Sequence, residues 1–187
     1  MSPRQVSTSS RPLSKNVGGS SKPFESSFVD TAPGVKIHLV TGGNFSSSSS
    51  KPTLLFLHGF PESWVAWESQ MVYFARIGFP VAAIDLRGYG RSSAPQDVGS
   101  YSIRTLVGDV LAVISHLRAA SPTKEIVLCG HDWGGVIAWH TSFVEAHEST
   151  KAISKYVIMD APHPSVPRGA AQKHAQASEL LHESSRS

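Results

Sequence analysis

The sequence predicts an α/β fold in which helices flank a mostly parallel β-sheet. Short apolar segments are typical of buried strands, segments with helical spacing lie between them, and turn residues stand at the junctions. Strand and helix segments alternate from about residue 53 to residue 160, and this order favours a parallel sheet with right-handed crossovers. The 187 residues are enough for one domain with its own core.

The composition excludes several classes of protein. Lys and Arg number 17 against 14 Asp and Glu, and this net charge of +3 is spread along the chain, unlike the basic stripe of a nucleic-acid-binding protein. A single cysteine cannot form an internal disulfide. No apolar run reaches the roughly 18–20 residues of a membrane-spanning helix. We therefore expect a cytoplasmic globular protein, and its oligomeric state stays open.

The chain divides into three regions by composition. Residues 1–23 are rich in Ser, Arg, Gly and Pro and have no periodic apolar face, which predicts disorder. Basic residues without acids also suggest organelle targeting there, but Pro3, Pro12 and two glycines disfavour the amphipathic helix that targeting needs. Residues 24–167 form the predicted core. Residues 168–187 turn to Ala, Gln, His and Ser and predict a flexible tail.

The first part of the core predicts three strands. Ser27–Thr31 and Val35–Thr41 flank the turn Ala32–Gly34, which is the pattern of a β-hairpin. The serine run Ser46–Ser50 predicts a loop. Thr53–Leu57 is a short apolar run bounded by proline and glycine, as expected of a central strand that is buried on both faces.

Two helices are predicted in the middle of the chain. The first begins near Trp64, where bulky apolar side chains recur on one side of a helix. The second runs from Ile103 to Leu117 with Ser102 as its N-cap, and Ser121–Pro122 ends it. Its apolar face consists of Ile103, Leu106, Val107, Val110, Leu111, Ile114 and Leu117.

Three further strands and one helix complete the alternation. Pro80–Leu86 predicts a strand that is followed by the turn-rich segment Arg87–Pro95. Glu125–Cys129 predicts another buried strand, and a helix follows from Trp133 to about Glu148. The last strand is expected at Tyr156–Asp160.

The junction between the strand at 125–129 and the next helix carries the strongest candidate for chemistry. Where a strand turns sharply into a helix, one side chain projects at the edge of the sheet, and small residues two positions before and after it prevent clashes. Gly130 and Gly134 hold those positions around Asp132. Asp132 therefore stands at the nucleophile position of an elbow, although an aspartate there could also serve only as a helix N-cap.

A second motif, from Leu57 to Trp64, follows the first central strand and reads Leu-His-Gly-Phe-Pro-Glu-Ser-Trp. In this arrangement a loop after that strand supplies one backbone N–H of an oxyanion hole, and the residue after the nucleophile supplies the other. We expect these donors to be the N–H groups of Phe60 and Trp133. Pro61 should stiffen the loop beside Gly59. The motif histidines, His58 and His131, are expected to orient or pack.

Four motifs together resemble the epoxide hydrolases of the α/β-hydrolase superfamily. They are His58–Trp64, Asp85–Ser92, Gly130–Gly135 and Ala161–Pro164, in that order. The resemblance covers about residues 24–167. It implies an α/β-hydrolase fold, an aspartate nucleophile and a small-molecule epoxide substrate, with no metal or cofactor.

The residue types at the motif separate subfamilies. A serine at the elbow would imply esterase or lipase chemistry, whereas aspartate is shared by epoxide hydrolases and haloalkane dehalogenases. Dehalogenases often carry a halide-binding Asn at the position of Phe60, so Phe60 favours epoxides. Trp133 in place of Arg disfavours a fluoroacetate-type enzyme. A dehalogenase-like or esterase-like hydrolase stays open as the alternative.

The resemblance also implies what should follow the last strand. In the family, two tyrosines of a cap donate the proton to the opening epoxide, and a His–acid pair beyond the cap activates water. We therefore expect a partial fold, truncated before the cap, that alkylates Asp132 at most once. The non-catalytic alternative is a fragment that binds partners through an unpaired last strand. Asp85 is expected to hold its loop, and Cys129 to be an inert buried side chain.

Overall fold

The computed structural model describes residues 24–45, 50–120, 125–148 and 152–166. Four predicted features lie wholly or mostly outside these segments and are not described by it. They are the disordered start at 1–23, the serine loop Ser46–Ser50, the helix break at Ser121–Pro122 and the flexible tail at 168–187.

The described segments confirm the predicted order of strands and helices. The strands are β1 (Glu25–Ala32), β2 (Val35–Gly42), β3 (Thr53–Leu57), β4 (Val81–Ile84), β5 (Ile126–His131) and β6 (Ile153–Met159). The α-helices are α1 (Glu68–Arg76), α2 (Ile103–Ala120) and α3 (Trp133–Glu148), and 3₁₀ turns cover Trp64–Trp67 and Val98–Tyr101. No helix in these segments is long and apolar enough to cross a membrane.

Among the described strands, only β3 has its predicted bounds; the other five differ by one to three residues at an end, and the cause is visible at β4 and β6. β4 is shorter than Pro80–Leu86, because the backbone N–H of Leu86 is used by the His58 side chain and the chain turns away from the sheet. β6 begins at Ile153, three residues before its predicted start, and ends before Asp160. Asp160 has a positive φ of 53°, which turns the chain out of the strand.

The six strands form one sheet in the order β1-β2-β4-β3-β5-β6. Strands β4, β3, β5 and β6 are parallel to one another, and β1 and β2 are antiparallel additions at one side. The predicted α/β fold with a mostly parallel sheet is therefore confirmed. In open sheets of this kind, ligands bind outside the carboxyl ends of the strands.

Side chains from both faces of the sheet build two apolar layers. In β3, Leu55 and Leu57 pack in the layer that contains α2 and α3, while Leu54 and Phe56 pack in the layer that contains α1. All residues of β3 are buried, as predicted for a central strand. Each fully buried Leu or Phe stabilises the fold by about 1.5–3 kcal/mol.

A buried ion pair fixes helix α2 against the turn that follows β4. Arg87 Nε and Nη2 donate to the two carboxylate oxygens of Asp109 at 2.8 and 2.7 Å. The hydroxyl of Thr31 on β1 also donates to Asp109. At the start of α2, Ser102 Oγ accepts the Thr105 N–H at 3.3 Å, so Ser102 caps the helix as predicted.

Candidate active site

Asp132 lies at the sharp turn between β5 and α3. Its φ of 51° is in the left-handed region, which non-glycine residues adopt rarely, although aspartate is enriched among those that do. The backbone on both sides is hydrogen-bonded, because Asp132 N–H donates to Met159 O and Asp132 O accepts from Val136 N–H, each at 3.0 Å. Such strained positions occur preferentially at functional sites.

The glycines on either side make this turn possible. A Cβ on Gly130 would lie 2.4 Å from the carbonyl oxygen of Gly134, and a Cβ on Gly134 would lie 2.4 Å from the carbonyl oxygen of Leu57. Both contacts are with backbone atoms, which cannot move aside cheaply. Gly59 has a third role, since a Cβ there would lie 2.9 Å from Asp132 Oδ1.

The Asp132 carboxylate accepts hydrogen bonds from two backbone amides. Phe60 N–H donates to Asp132 Oδ1 at 2.9 Å, and the Trp133 N–H also donates to this carboxylate. Both bonds lower the pKa of Asp132 from its ordinary value, and the bond from Phe60 has the larger effect. The carboxylate is therefore ionised at neutral pH and is held in one orientation.

His58 orients the loop that carries Phe60. Its ring is fully buried, accepts the Leu86 N–H on Nε2 at 2.9 Å and donates from Nδ1 to Gly59 O at 2.8 Å. Because Leu86 N–H can only donate, the proton sits on Nδ1. Burial lowers the pKa of His58, so the ring is neutral. These are contacts that an orienting residue would make, and the orienting role of His58 stays a prediction.

Two carboxylates reinforce the same loop. Asp85 Oδ1 accepts the Trp64 N–H at 2.9 Å, and Asp85 is 1% exposed. Glu62 Oε2 accepts the Gly59 N–H at 2.8 Å. The Phe60–Pro61 peptide bond is cis. Side chains thus fix both ends of the loop that carries Phe60. Asp85 also contacts the segment after β4, which is the loop it was expected to hold, because its Oδ2 accepts the Arg91 N–H at 2.9 Å.

His131 joins the loop to the segment after β6. Its Nδ1 lies 3.5 Å from Glu62 Oε2, and its Nε2 lies 3.2 Å from Asp160 Oδ2. The side chain is 35% exposed, so both contacts are at the rim of the site. His131 therefore links two loops beside Asp132, which agrees with an orienting role.

A cavity of about 180 Å³ opens beside Trp133. Its walls include Tyr89, Tyr101, Leu106 and Ile137. The rings of Phe60 and Trp133 are themselves 64% and 52% exposed at the sheet edge. Exposed aromatic side chains and an apolar cavity therefore adjoin the two residues whose amides donate to the Asp132 carboxylate.

The described residues contain no group of three or more His, Cys, Asp or Glu side chains that could hold a metal ion. Cys129 lies directly before the elbow, is 7% exposed, and burial raises the pKa of its thiol to about 12. A thiol in that state is a weak nucleophile at neutral pH. The interpretation of Cys129 as an inert side chain agrees with this environment.

The structure brings together the site residues that the sequence predicted. Asp132, Phe60 and Trp133 meet at the carboxyl edge of β3 and β5. Sequence reasoning gave no role to Glu62, whose carboxylate accepts the Gly59 N–H. It also missed His38, whose burial depends on the distant turn after β4 and has no local signal.

The sequence model of the alpha/beta hydrolase fold matches residues 52–178. The chain therefore belongs to the alpha/beta hydrolase family, a family of enzymes. Within it the chain is similar to epoxide hydrolases, as its motifs predicted.

Two curated relatives and one crystal structure illustrate the similarity. Epoxide hydrolase 4 of Mus musculus is 38% identical over 133 residues, which is 71% of this chain and 33% of that protein. Bifunctional epoxide hydrolase 2 of Sus scrofa is 40% identical over 113 residues, 60% of this chain and 19% of that protein. An epoxide hydrolase from Vigna radiata is 32% identical with a TM-score of 0.64, and the match covers 82% of this chain and 46% of that one. The chain thus spans less than half the length of each.

Proposed function

We propose that this chain carries the nucleophile and oxyanion hole of an epoxide hydrolase, with Asp132 as the attacking carboxylate. The observation that carries the proposal is the position of this carboxylate on a left-handed elbow, with the Phe60 and Trp133 N–H groups donating to it. An aspartate that served only as a helix cap would need neither the second donor from a distant loop nor glycines two positions before and after it.

The first chemical step follows from the state of the carboxylate. Because Asp132 is already ionised, it needs no base to attack carbon. One carboxylate oxygen forms a bond to an epoxide carbon, the bond from that carbon to the ring oxygen breaks, and the resulting alkoxide takes a proton from water. The product is a hydroxyalkyl ester of Asp132.

The two amides contribute to the second step. After alkylation, Phe60 N–H and Trp133 N–H face an ester carbonyl oxygen, which becomes negatively charged when water attacks its carbon. Donors fixed toward that oxygen stabilise the tetrahedral intermediate. Collapse of the intermediate would return the Asp132 carboxylate and release a vicinal diol.

Water attack also needs a base, and the histidines nearest the elbow are occupied. His58 is buried with both ring nitrogens hydrogen-bonded, and both ring nitrogens of His131 face carboxylates. Neither ring is free to take a proton from water above the ester. We therefore expect alkylation without steady release of diol from this chain.

The surroundings of Asp132 favour an epoxide with an apolar substituent. The rings of Phe60 and Trp133 are exposed, their backbone amides donate to the carboxylate, and the cavity beside Trp133 has room for a small hydrocarbon group. Small-molecule sites are commonly lined by apolar and aromatic side chains of this kind. Styrene oxide is a suitable first probe.

The test is the intact mass of the protein after incubation with styrene oxide. We expect one added epoxide in the wild type and none in Asp132→Asn. The matched control is Asp30→Asn, whose side chain is 75% exposed on β1 and which should react like the wild type. Equal adduct formation in Asp132→Asn would refute Asp132 as the nucleophile. Steady release of diol would refute the expectation that the ester is not hydrolysed repeatedly. Faster reaction with a haloalkane would favour a dehalogenase.

The location and the division of the chain belong to the same proposal. We propose a cytoplasmic protein whose ordered core is residues 24–167, between a disordered start at 1–23 and a flexible tail at 168–187. Cell fractionation tests the location. Limited proteolysis followed by mass spectrometry should leave the core and remove both ends, and early cuts inside the core would contradict the division.

A further inference from the structure

We propose a second nucleophilic site on the opposite part of the sheet, in which Ser26, His38 and Asp85 act as a Ser–His–Asp relay. Ser26 Oγ lies 2.8 Å from His38 Nε2, and His38 Nδ1 lies 2.8 Å from Asp85 Oδ2. A hydroxyl bonded to an imidazole that a carboxylate orients is the arrangement that activates serine for acyl transfer. Ser26 lies on β1, His38 on β2 and Asp85 directly after β4, and strand β3 lies between these strands and β5, which leads to the elbow.

The hairpin register places these groups on one face. Phe28 pairs with His38 and Ser26 pairs with Val40, so Ser26 and His38 are diagonal neighbours on the same side of the β1–β2 ribbon. His38 and Asp85 are each 1% exposed, whereas Ser26 is exposed. The base and its partner are thus shielded from water while the hydroxyl is accessible to a substrate.

The neighbouring groups fix the protons on this relay. Because a carboxylate oxygen can only accept, the contact between Asp85 Oδ2 and His38 Nδ1 places a proton on Nδ1. Arg91 Nη1, which can only donate, lies 3.4 Å from His38 Nε2, and this contact favours an unprotonated Nε2. The Ser26 hydroxyl then donates to Nε2, as a nucleophile must before it loses its proton.

The Asp85 carboxylate is itself held in place. Its Oδ1 accepts the Trp64 N–H and its Oδ2 accepts the Arg91 N–H, both at 2.9 Å. These bonds fix the carboxylate, and the carboxylate fixes the plane of the His38 ring. The relay therefore needs little rearrangement when a proton moves from Ser26 to His38.

Arg91 and Phe28 define the substrate class. Arg91 Nη1 donates to Ser26 Oγ at 2.8 Å, so its guanidinium can donate to the oxyanion that forms when Ser26 attacks a carbonyl. The Phe28 ring is 43% exposed and lies 5.4 Å from the Arg91 guanidinium carbon. An activated ester of small size with an aromatic group would place its ring on Phe28 and its carbonyl oxygen at Arg91.

The proposed acyl transfer consumes only the ester and water. Ser26 Oγ bonds to the ester carbon while its proton moves to His38 Nε2, and the ester bond breaks as that proton passes to the leaving alcohol. Water then attacks the acyl-serine and gives its proton to His38. The carboxylic acid departs, and Ser26 recovers its proton.

The test is labelling of the folded protein with an alkyl fluorophosphonate, followed by peptide mapping. The control is Ser27→Ala, because Ser27 is an exposed neighbour whose hydroxyl donates to Leu39 O instead of to His38. We expect labelling at Ser26 in the wild type and in Ser27→Ala, and at least a tenfold lower rate in Ser26→Ala. p-Nitrophenyl acetate hydrolysis should follow the same order.

Three results would overturn this proposal. The first is no label on Ser26, and the second is equal labelling of the Ser26→Ala protein. The third is a rate of Ser26 labelling in the folded protein that is no higher than in the protein unfolded in urea. A fluorophosphonate forms a stable ester with a serine, whereas its product with a carboxylate such as Asp132 hydrolyses. Asp132 also lies in a different peptide from Ser26, so peptide mapping separates labelling of Ser26 from any reaction at the elbow.

Discussion

Replacing Gly134 by alanine should destabilise the protein strongly, because the added methyl group meets backbone on a central strand. An ideal Cβ at Gly134 would lie 2.4 Å from Leu57 O, 2.6 Å from Leu57 C and 2.7 Å from His58 O. These atoms belong to β3 and to the loop that carries Phe60. Relief of the clash must therefore move α3, β3 or the loop that carries Phe60.

The expected magnitude follows from the contrast with an open position. Forcing extra methyl groups into packed structure costs about 1–3 kcal/mol and occasionally more, and contact with backbone belongs at the upper end. Gly108, in α2, has no atom within 4 Å of its ideal Cβ. Alanine there should stabilise the helix by about 0.5–1 kcal/mol. The two Gly→Ala variants should therefore differ by about 4 kcal/mol.

Equilibrium unfolding in urea, followed by tryptophan fluorescence, measures both variants on one scale. The midpoint should fall for Gly134→Ala and rise slightly for Gly108→Ala, with unchanged slopes. Gly134→Ala should also alkylate more slowly at Asp132, since the elbow is displaced. A Gly134→Ala protein within 0.5 kcal/mol of the wild type would refute the steric argument.

Three further outcomes are expected. Asp109→Ala should lower the free energy of unfolding by about 3–5 kcal/mol, because it leaves the buried Arg87 guanidinium unpaired. Cys129 should resist a thiol reagent at pH 8 in the folded protein and react once the protein is unfolded, because burial raises its pKa to about 12. The Asp132 carboxyl, followed by carbon NMR, should titrate below the ordinary aspartate pKa, since the Phe60 and Trp133 amides favour its charged form.

The depressed pKa of Asp132 also sets the direction of a pH effect. Its contribution to stability is fully present above the ordinary aspartate pKa and is lost as pH falls through the lower folded value. The alkylation rate should follow the same carboxylate. An Asp132 resonance that titrates at or above the ordinary value would contradict the two hydrogen bonds. A free energy of unfolding of Asp109→Ala within 1 kcal/mol of the wild type would contradict the role of the Arg87–Asp109 ion pair. Fast labelling of Cys129 in the folded protein would contradict its burial.

Most of the fold was predictable because its signals are local. The run Thr53–Leu57 has only the Thr53 hydroxyl as a polar side-chain group and so must be covered on both sides, and the spacing in α2 leaves one buried stripe. Strand ends were less predictable. Whether Leu86 continues β4 depends on His58, which is distant in sequence and takes its N–H.

The candidate site divides in the same way. The elbow was predictable because local backbone contacts require its glycines. Gly130 faces the carbonyl oxygen of Gly134 a few residues on, and Gly134 faces that of Leu57 on the adjacent strand β3. The buried His38 was not, since strand alternation alone cannot tell that the turn after β4 will cover it. Its partners Asp85 and Arg91 come from that turn, and only the assembled sheet brings them to β2.

The most direct measurement of the central claim is the chemical nature of the bond that styrene oxide forms with this chain. Peptide mapping should place one hydroxyalkyl group on Asp132, and mild alkali should remove it, because the proposed bond is an ester. His131, the adjacent residue, would instead form a carbon–nitrogen bond that survives alkali. An alkali-labile adduct on Asp132 supports the proposal, and an alkali-stable adduct, or one on another residue, contradicts it.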